Sequence, residues 1–235
     1  MTRQKVRKLL LIISFLLFPI TIYYFSPALI INAGLEGIIN GSFIVFSAML
    51  ITSILFGRLF CAYLCPAGGL QECLFSVNDR QPKQGWKNNI KYGIFAVWIF
   101  FVVFSFFHNG GIQGFDFFYQ TDHGISVTEI QGYIIYYGII LIILIPSIIG
   151  GKRTFCHYFC WMAPFMIIGT KLRHLLRIPG LRIVAEGEKC ISCNKCVNAC
   201  PMSLNIKKMD NAECIQCGAC VDGCPKGVLK YRIST

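Results

Sequence analysis

Two runs of four cysteines near the end of the chain constrain its fold more than any other feature. Each run has the pattern C-x2-C-x2-C-x3-C and is followed by a proline. The first run is Cys190, Cys193, Cys196 and Cys200, and the second is Cys214, Cys217, Cys220 and Cys224. Cysteines at this spacing bind iron–sulfur clusters, and in two-cluster proteins the fourth cysteine of each run ligates the cluster of the other run. The sequence therefore predicts two [4Fe-4S] clusters in one small domain.

This crossed arrangement gives each cluster its own set of ligands. We predict that cluster I is held by Cys190, Cys193, Cys196 and Cys224, and cluster II by Cys214, Cys217, Cys220 and Cys200. Zinc binding and disulfide formation are the alternatives, but zinc sites usually combine two separate C-x2-C units. We therefore predict a small α+β domain of the bacterial two-cluster ferredoxin type at residues 186–235.

The rest of the chain is more apolar than a soluble domain. Hydrophobic residues make up 55% of the sequence and charged residues 14%, whereas soluble domains carry about 25% charged residues. Four apolar runs, 9–31, 38–56, 90–107 and 133–149, approach the ~20 residues that a helix needs to cross a bilayer. We therefore predict an all-α domain of four transmembrane helices at residues 1–164. The first run resembles a signal peptide but is longer than usual, so we expect an uncleaved helix with a kink at Pro19 or Pro27.

The basic residues predict how these helices cross the membrane. Lys and Arg cluster before the first run, between the second and third runs, and after Gly150, whereas residues 32–37 and 108–132 contain none. Cytoplasmic loops are enriched in Lys and Arg, so both termini and the cysteine-rich domain are predicted to face the cytoplasm from a multi-pass protein of the inner membrane. The same bias, with attraction to anionic lipid, explains the net charge of +11 without a nucleic-acid partner.

Residues 165–185 are predicted to join the two domains as a helix and a linker. Four apolar residues fall on one helical face, and four basic residues occupy much of the rest. The apolar set is Ile168, Leu172, Leu175 and Leu176, and the basic set is Lys171, Arg173, His174 and Arg177. Such a helix is predicted to lie on the inner membrane surface and to end at Pro179 and Gly180.

The second and fourth apolar runs end alike, which indicates an internal repeat of a two-helix unit. Each is followed by Gly, basic residues, Phe and a C-x3-C pair, and the pairs are Cys61 with Cys65 and Cys156 with Cys160. Residues i and i+4 share a helical face, so each pair is predicted to present two thiols together. Pseudo-symmetry would bring all four together as an additional iron–sulfur centre.

Two other interpretations of these four cysteines remain open. They could be redox-active thiols, or they could be small apolar residues that only pack. A haem would need a different ligand set, and the chain has no C-x-x-C-H motif. Cys73 has no partner in the pattern and is expected to be inert.

These features together resemble the NapH/MauN-type membrane polyferredoxin family. The resemblance covers nearly the whole chain, and its most specific part is the exit motif G-R-x-F-C-x3-C-P-x-G at residues 57–68. The family is regarded as supplying quinol-oxidising or electron-relay subunits of respiratory or maturation pathways, so the resemblance implies a quinol dehydrogenase-like subunit of an oxidoreductase system. The second exit departs from the motif, because Trp161 stands where the first exit has Pro66 and a proline follows only at Pro164.

The predicted function is electron transfer between the quinone pool of the membrane and a partner redox protein or subunit. The basic residues Lys189, Lys195, Lys207 and Lys208 would favour an acidic carrier protein. The alternative function is a maturation factor that reduces a metal or cofactor of another enzyme.

Two regions are candidates for a quinone site. The loop at residues 108–124 contains aromatic residues with Asp116, Asp122 and His123, which could hold a ring and take its protons. However, a hydrocarbon core about 30 Å thick would separate this loop from every predicted cluster ligand. A site near the C-x3-C exits has no such gap, although the sequence does not identify its residues.

Overall fold

The computed structural model describes residues 2–186, 190–205 and 211–234. Of the basic residues predicted to attract a carrier protein, Lys189, Lys207 and Lys208 lie outside these ranges. The helices are α1 (Arg3–Leu16), α2 (Phe18–Thr21), α3 (Pro27–Leu35), α4 (Gly41–Phe56), α5 (Leu59–Tyr63), α6 (Pro66–Cys73), α7 (Ile90–His108), α8 (Ile130–Gly150), α9 (Thr154–Tyr158), α10 (Ala163–Leu176), α11 (Lys195–Asn198) and α12 (Ala219–Asp222). The strands are β1 (Ile38–Asn40), β2 (Gly114–Asp116), β3 (Gly180–Ala185) and β4 (Leu229–Ser234), and short 3-10 helices lie at Ile22–Phe25, Leu74–Ser76, Trp86–Asn89 and Asn211–Glu213.

Two helices in the described ranges are long and apolar enough to cross a bilayer. One is α7 with the 3-10 turn before it, Trp86–His108, and the other is α8. They correspond to the third and fourth apolar runs of the sequence, and both runs are confirmed as helices of spanning length.

The first apolar run is not one straight helix, and its bend lies beside Pro19, one of the two prolines where the sequence predicts a kink. The segments Arg3–Leu16 and Phe18–Phe25 are bent by 60° at a short break. Pro19 lies directly after this break, and proline removes a backbone donor and crowds the preceding turn. The second run forms α4, which has 16 residues and is shorter than the ~20 that a full crossing needs. Length and composition therefore support two spans, or three if the bent pair counts as one.

The loops at one end of the helices lie against each other. Strands β1 and β2 pair in parallel, with Ile38 opposite Gly114, and the hydroxyl of Tyr119 donates to the Glu36 carboxylate at 2.8 Å. These are the two loops that lack Lys and Arg, so the structure places both at the same end of the molecule.

The connecting segment 165–185 differs from the prediction in two ways. Residues 180–185 form β3, which pairs antiparallel with β4, so they belong to a sheet with the end of the chain and are not a linker. The helix α10 packs closely against α4, and Arg173 is buried on that side and donates to the Leu181 carbonyl at 3.1 Å. The apolar side chains Leu172 and Leu175 remain exposed, as expected for a face that meets lipid.

The cysteine-rich region is docked on the other end of the helices. Gln81 donates to the carbonyls of Val197 and Asn198 at 2.9 and 2.8 Å, and Gln4 in α1 donates to the Cys217 carbonyl at 3.0 Å. One buried core runs from the helices into residues 212–229. The start of the chain and its cysteine-rich region therefore share one end of the molecule.

Candidate metal centres

Four of the C-terminal cysteines line one cavity. They are Cys190, Cys193, Cys196 and Cys224, which we call the first thiol set. This grouping contains three cysteines of the first run and the last cysteine of the second run. It is the ligand set that the crossed pattern predicts for cluster I, and no other cysteine lines this cavity.

The remaining four cysteines form a second, more buried group. This second thiol set is Cys200, Cys214, Cys217 and Cys220. Burial raises the pKa of the Cys214 thiol, and negative charge on the other three sulfurs would raise that pKa further. Burial likewise raises the pKa of Cys220 to about 12, with further contributions from Cys217 and Cys200. Cys214, Cys217 and Cys220 are buried in one core, and Cys200 packs against that core. These four are the cysteines that the crossed pattern assigns to cluster II.

The two runs share an unusual backbone. Ser192 and Asn194 in the first run, and Gln216 and Gly218 at the matching places in the second, all have positive φ between 53° and 73°. When residues with positive φ alternate with residues of negative φ, successive N–H groups turn towards one point. The resulting concavities bind anionic groups, including iron–sulfur clusters. The backbone N–H of Gln216 lies 3.4 Å from Cys214 Sγ, so the loop already donates to a thiol of the second set.

The two C-x3-C exits repeat each other in structure. Gly57 follows α4 and Gly151 follows α8, and these glycines have φ and ψ of 60° and −139° and of 90° and −152°. A five-residue helix follows each glycine, α5 in the first exit and α9 in the second. The backbone N–H of Cys65 then donates to the Phe60 carbonyl at 3.1 Å, and that of Cys160 donates to the Phe155 carbonyl at 3.0 Å. The internal repeat indicated by the sequence is therefore a repeat of backbone conformation.

One detail of the exits differs from the prediction. The cysteines of each pair were expected on one face of a regular helix, but α5 ends at Tyr63 and α9 ends at Tyr158. Cys65 is instead the residue before α6, where Pro66 begins a new helix. The second thiol of each pair therefore lies in the turn that joins the five-residue helix to the helix that follows it.

The structure brings the four exit thiols, Cys61, Cys65, Cys156 and Cys160, into one buried cluster. Each is at most 4% exposed, and all four belong to the same core. Burial raises the pKa of Cys65 well above its ordinary value, and negative charge on the other three would raise it further. The exits also contact each other directly, because Gln71 of α6 donates to Cys156 Sγ at 3.0 Å.

Two buried arginines accompany the exit thiols. Arg58 and Arg153 are both 0% exposed. Arg153 donates to the Cys61 carbonyl at 2.9 Å and pairs with Glu72 at 3.1 Å, and Arg7 also pairs with Glu72. Burial opposes the charge on each guanidinium, but nearby thiols and carboxylates outweigh it and raise the pKa of both arginines above their ordinary range.

An acidic residue of the cysteine-rich region completes this network. Glu213, which precedes Cys214, pairs with Arg58 at 3.0 Å and with Lys91 at 2.8 Å and accepts from the Tyr92 hydroxyl at 2.9 Å. Burial would raise the pKa of Glu213, but Arg58 and Lys91 outweigh this effect and lower it to about 2. The second thiol set is therefore tied to the first exit by a buried ion pair.

The residues present at the exits fit an iron–sulfur group. Arg58 Nε and Nη2 and Arg153 Nε are buried and find no hydrogen-bond partner among the residues that the structure describes, although leaving such donors unpaired costs about 1–3 kcal/mol each. Thiolates are soft ligands suited to iron–sulfur clusters, and a cluster with bridging sulfides offers both acceptors and negative charge to these donors. An added Cβ at Gly68 would collide with the Arg153 guanidinium, so glycine is needed there for the arginine to reach the site.

A single metal ion fits these cysteines less well. In the part of the chain that the structure describes, no three Cys, His, Asp or Glu side chains converge closely enough to hold one ion, and all thirteen cysteines are free thiols. A cluster is wider than one ion, so the absence of such a close group among the described residues does not bear on cluster binding.

Sequence reasoning missed the charged residues that hold the sites together. Glu72, Glu213 and Gln71 lie far along the chain from the residues they bind, and no motif contains them. Only Glu72 has a signal in the sequence: it is the single acidic residue between Gly37 and Val77.

The loop at residues 108–124 does not enclose a site around its predicted ligands. His108, Asp116, Asp122 and His123 are exposed, and the His123 ring, which bonds Asp122 at 2.6 Å, is 95% exposed. These four side chains therefore do not form an enclosed site.

Comparison with known protein families identifies two iron–sulfur segments. Residues 41–87 match the model of a 4Fe-4S binding domain, and residues 152–233 match the model of a 4Fe-4S dicluster domain. The first segment ends long before Cys190, so its C-x3-C pair is Cys61 with Cys65. The second contains Cys156 and Cys160 together with both C-terminal runs. Every cysteine of the chain therefore lies within a segment that resembles an iron–sulfur domain.

The similar curated proteins are themselves uncharacterized. Two proteins of Methanocaldococcus jannaschii are each 24% identical to this chain, one over 195 residues (79% of this chain and 69% of the relative) and one over 174 residues (70% and 68%). No solved structure matches the chain. The two matched segments support an iron–sulfur protein that transfers electrons.

Proposed function

We propose that this chain is a membrane-bound iron–sulfur protein that passes electrons between the quinone pool of the membrane and a partner redox protein or subunit. The observation that supports this proposal best is the position of the exit thiols. They are buried at the ends of the apolar helices, beside two arginines that each keep a buried N–H group without a partner among the described residues, and they abut the loop of the second thiol set. Redox-active groups there would link the lipid phase to the cysteine-rich region.

Each thiol set has a defined part in this proposal. The first thiol set would hold cluster I, the second would hold cluster II, and the exit thiols would hold an additional centre. An iron–sulfur cluster, when bound, accepts and releases single electrons with little movement of its ligands. Arg58 and Arg153 would offset the negative charge of the exit site, and the apolar core around Phe155 and Met166 would exclude water from it.

The membrane arrangement follows the resemblance to the NapH/MauN-type polyferredoxins. The bent first segment and the short α4 would complete four passes with α7 and α8. The basic end of the molecule, with both termini and the cysteine-rich region, would face the cytoplasm under the positive-inside rule. A partner protein would then approach from the cytoplasm.

The iron content of the purified protein tests the proposal. Two [4Fe-4S] clusters require about eight iron and eight acid-labile sulfide per chain, and an additional centre raises iron to about ten or twelve. Cys61→Ser should lower the excess without disturbing the eight. Cys73→Ser is the matched control, because Cys73 is exposed and belongs to no thiol set. An iron count of eight that Cys61→Ser leaves unchanged would remove the additional centre.

Reduction by quinol separates this function from the alternative of a maturation factor. We expect a reduced quinone to bleach the visible absorbance of the oxidised protein. If quinol leaves the absorbance unchanged while a metal ion such as copper oxidises the dithionite-reduced protein, the maturation function is correct instead.

A further inference from the structure

An apolar cavity lies directly beside the exit thiols. Phe18 and Ile22 of the bent first segment form one wall, and Ile143 of α8 forms another. Cys65 and Cys160, one thiol from each exit, also border the cavity. The cavity is therefore bounded by membrane helices on two sides and by the proposed additional centre on a third.

One residue that borders this cavity carries a buried polar group without a partner among the described residues. Trp161 borders it, and the indole Nε1–H of Trp161 is buried without a hydrogen-bond acceptor within the described residues. The Trp161 and Phe155 rings are nearly perpendicular, with their centroids 5.6 Å apart. By contrast, the indole of Trp98 donates to the Pro27 carbonyl at 2.9 Å. An unpaired buried donor costs about 1–3 kcal/mol, so a ligand that offers an acceptor would be stabilised here.

The cavity selects the chemistry of its ligand. Mostly apolar walls favour an apolar molecule, and the unpaired indole N–H favours one with a hydrogen-bond acceptor such as a carbonyl oxygen. A lipid acyl chain offers no acceptor, and a charged headgroup would find no charged partner among Phe18, Ile22 and Ile143. A planar ring with carbonyl oxygens and an apolar tail satisfies both conditions.

We propose that this cavity binds the head of a membrane quinone and that Trp161 donates its indole N–H to a quinone carbonyl. The inference rests on the proposed function, for which it names the site of the membrane-side redox molecule. It also gives a physical reason for the departure of the second exit from the first. Trp161 supplies a donor at the position where the first exit has Pro66, which has no N–H.

Direct binding to the full chain in detergent tests the assignment without depending on electron transfer. The probe is decyl-ubiquinone, and its affinity is measured by calorimetry. Trp161→Phe keeps the aromatic ring and removes the donor, so we expect binding about fivefold weaker, the effect of one neutral hydrogen bond. Ile143→Phe should fill the cavity, because Ile143 lines it, and should abolish binding. Trp86→Phe is the control, since Trp86 is 75% exposed and lies outside the cavity.

Decylbenzene provides a second control because it keeps a ring and the tail but has no carbonyl. Its affinity should be the same for the wild type and Trp161→Phe. The inference is overturned if the wild type does not bind decyl-ubiquinone, or if Trp161→Phe binds it as tightly as the wild type does while retaining its full iron content.

The iron count distinguishes failure of this inference from failure of the proposed function. If iron reaches ten or twelve per chain but quinone affinity is independent of Trp161, the additional centre stands and the cavity assignment is wrong. If quinone binding depends on Trp161 but iron stays at eight, the cavity assignment holds and the additional centre is wrong.

Discussion

The two C-terminal thiol sets have the same cysteine spacing but different surroundings. In the first set, Cys190 and Cys193 are exposed, whereas in the second set Cys214, Cys217 and Cys220 are buried. The difference arises from docking, because the second set faces α1 and the first exit. The potential of a cluster depends on its solvent exposure and on hydrogen bonds to sulfur, so two equal motifs would supply two unequal sites.

This contrast suggests an order of the three thiol sets, from the exit thiols through the second set to the first set at the surface. The second thiol set adjoins the exit thiols through Arg153, whose positive charge acts on both Cys217 and Cys61. The first thiol set lies near the surface, where a partner protein could approach it. Variants that remove a ligand or a buried charge would show how strongly the buried surroundings of the second set stabilise it.

The largest effect is expected from removing one ligand of each set in turn. Cys217→Ser should lose about four iron and also loosen the docked region, because that loop packs against α1 and the exits. Cys190→Ser should lose a similar amount of iron and leave the docking intact. Iron analysis combined with limited proteolysis checks both statements. Equal proteolysis of the two variants would mean that burial of the second set has no structural importance.

Glu213→Gln should produce the next largest effect. The substitution keeps the size of the side chain but leaves Arg58 and Lys91 buried without their carboxylate. Removing one partner of a buried ion pair costs about 3–5 kcal/mol, so the docked region should melt at a lower temperature. Melting is followed by the visible absorbance of the iron sites.

Glu186→Gln is the control for this prediction. Glu186 pairs with Lys230 at 2.9 Å, but both side chains are more than half exposed, and such pairs contribute about 0–1 kcal/mol. If the two variants melt alike, the buried pair at Glu213 does not hold the second set in place.

The contrast between the sets also shows what the sequence could predict. The grouping of Cys224 with the first run follows from spacing, because a cluster needs a fourth ligand that its own run does not provide. The burial of Cys217 does not follow from spacing, since it depends on Gln4 and Glu213, which contact elements over 100 residues away in the chain. Local patterns specify ligands, whereas docking specifies their environment.

The apolar helices give the same lesson. The length of the third and fourth runs was enough to predict α7 and α8. The first run has the length of a spanning helix, but Pro19 lies in it and the helix bends by 60°. The resulting bend contributes Phe18 and Ile22 to the cavity beside Cys65, an outcome that hydropathy alone could not predict.

Gly57→Ala should have a moderate effect at the junction between the first exit and the second set. Gly57 has φ of 60° and ψ of −139°, and a side chain in such a region costs about 1–3 kcal/mol. An added Cβ would have room, because its nearest neighbour is Gln216 Nε2 at 3.7 Å. The expected loss of thermal stability therefore comes from backbone strain alone. Gly93→Ala in α7 is the control, because its Cβ would meet nothing within 4 Å and alanine favours a helix.

The smallest effect is expected at the rim of the second set. Arg3 pairs with Asp222, but the two side chains are 33% and 38% exposed, and surface ion pairs contribute about 0–1 kcal/mol. Arg3→Ala should therefore change the melting temperature by little, although Gln4 next to it bonds the Cys217 carbonyl. A loss as large as that of Glu213→Gln would show that the second set is held mainly from the side of α1. In that case the difference between the two thiol sets would originate at the start of the chain, and the contact with the first exit would follow from it.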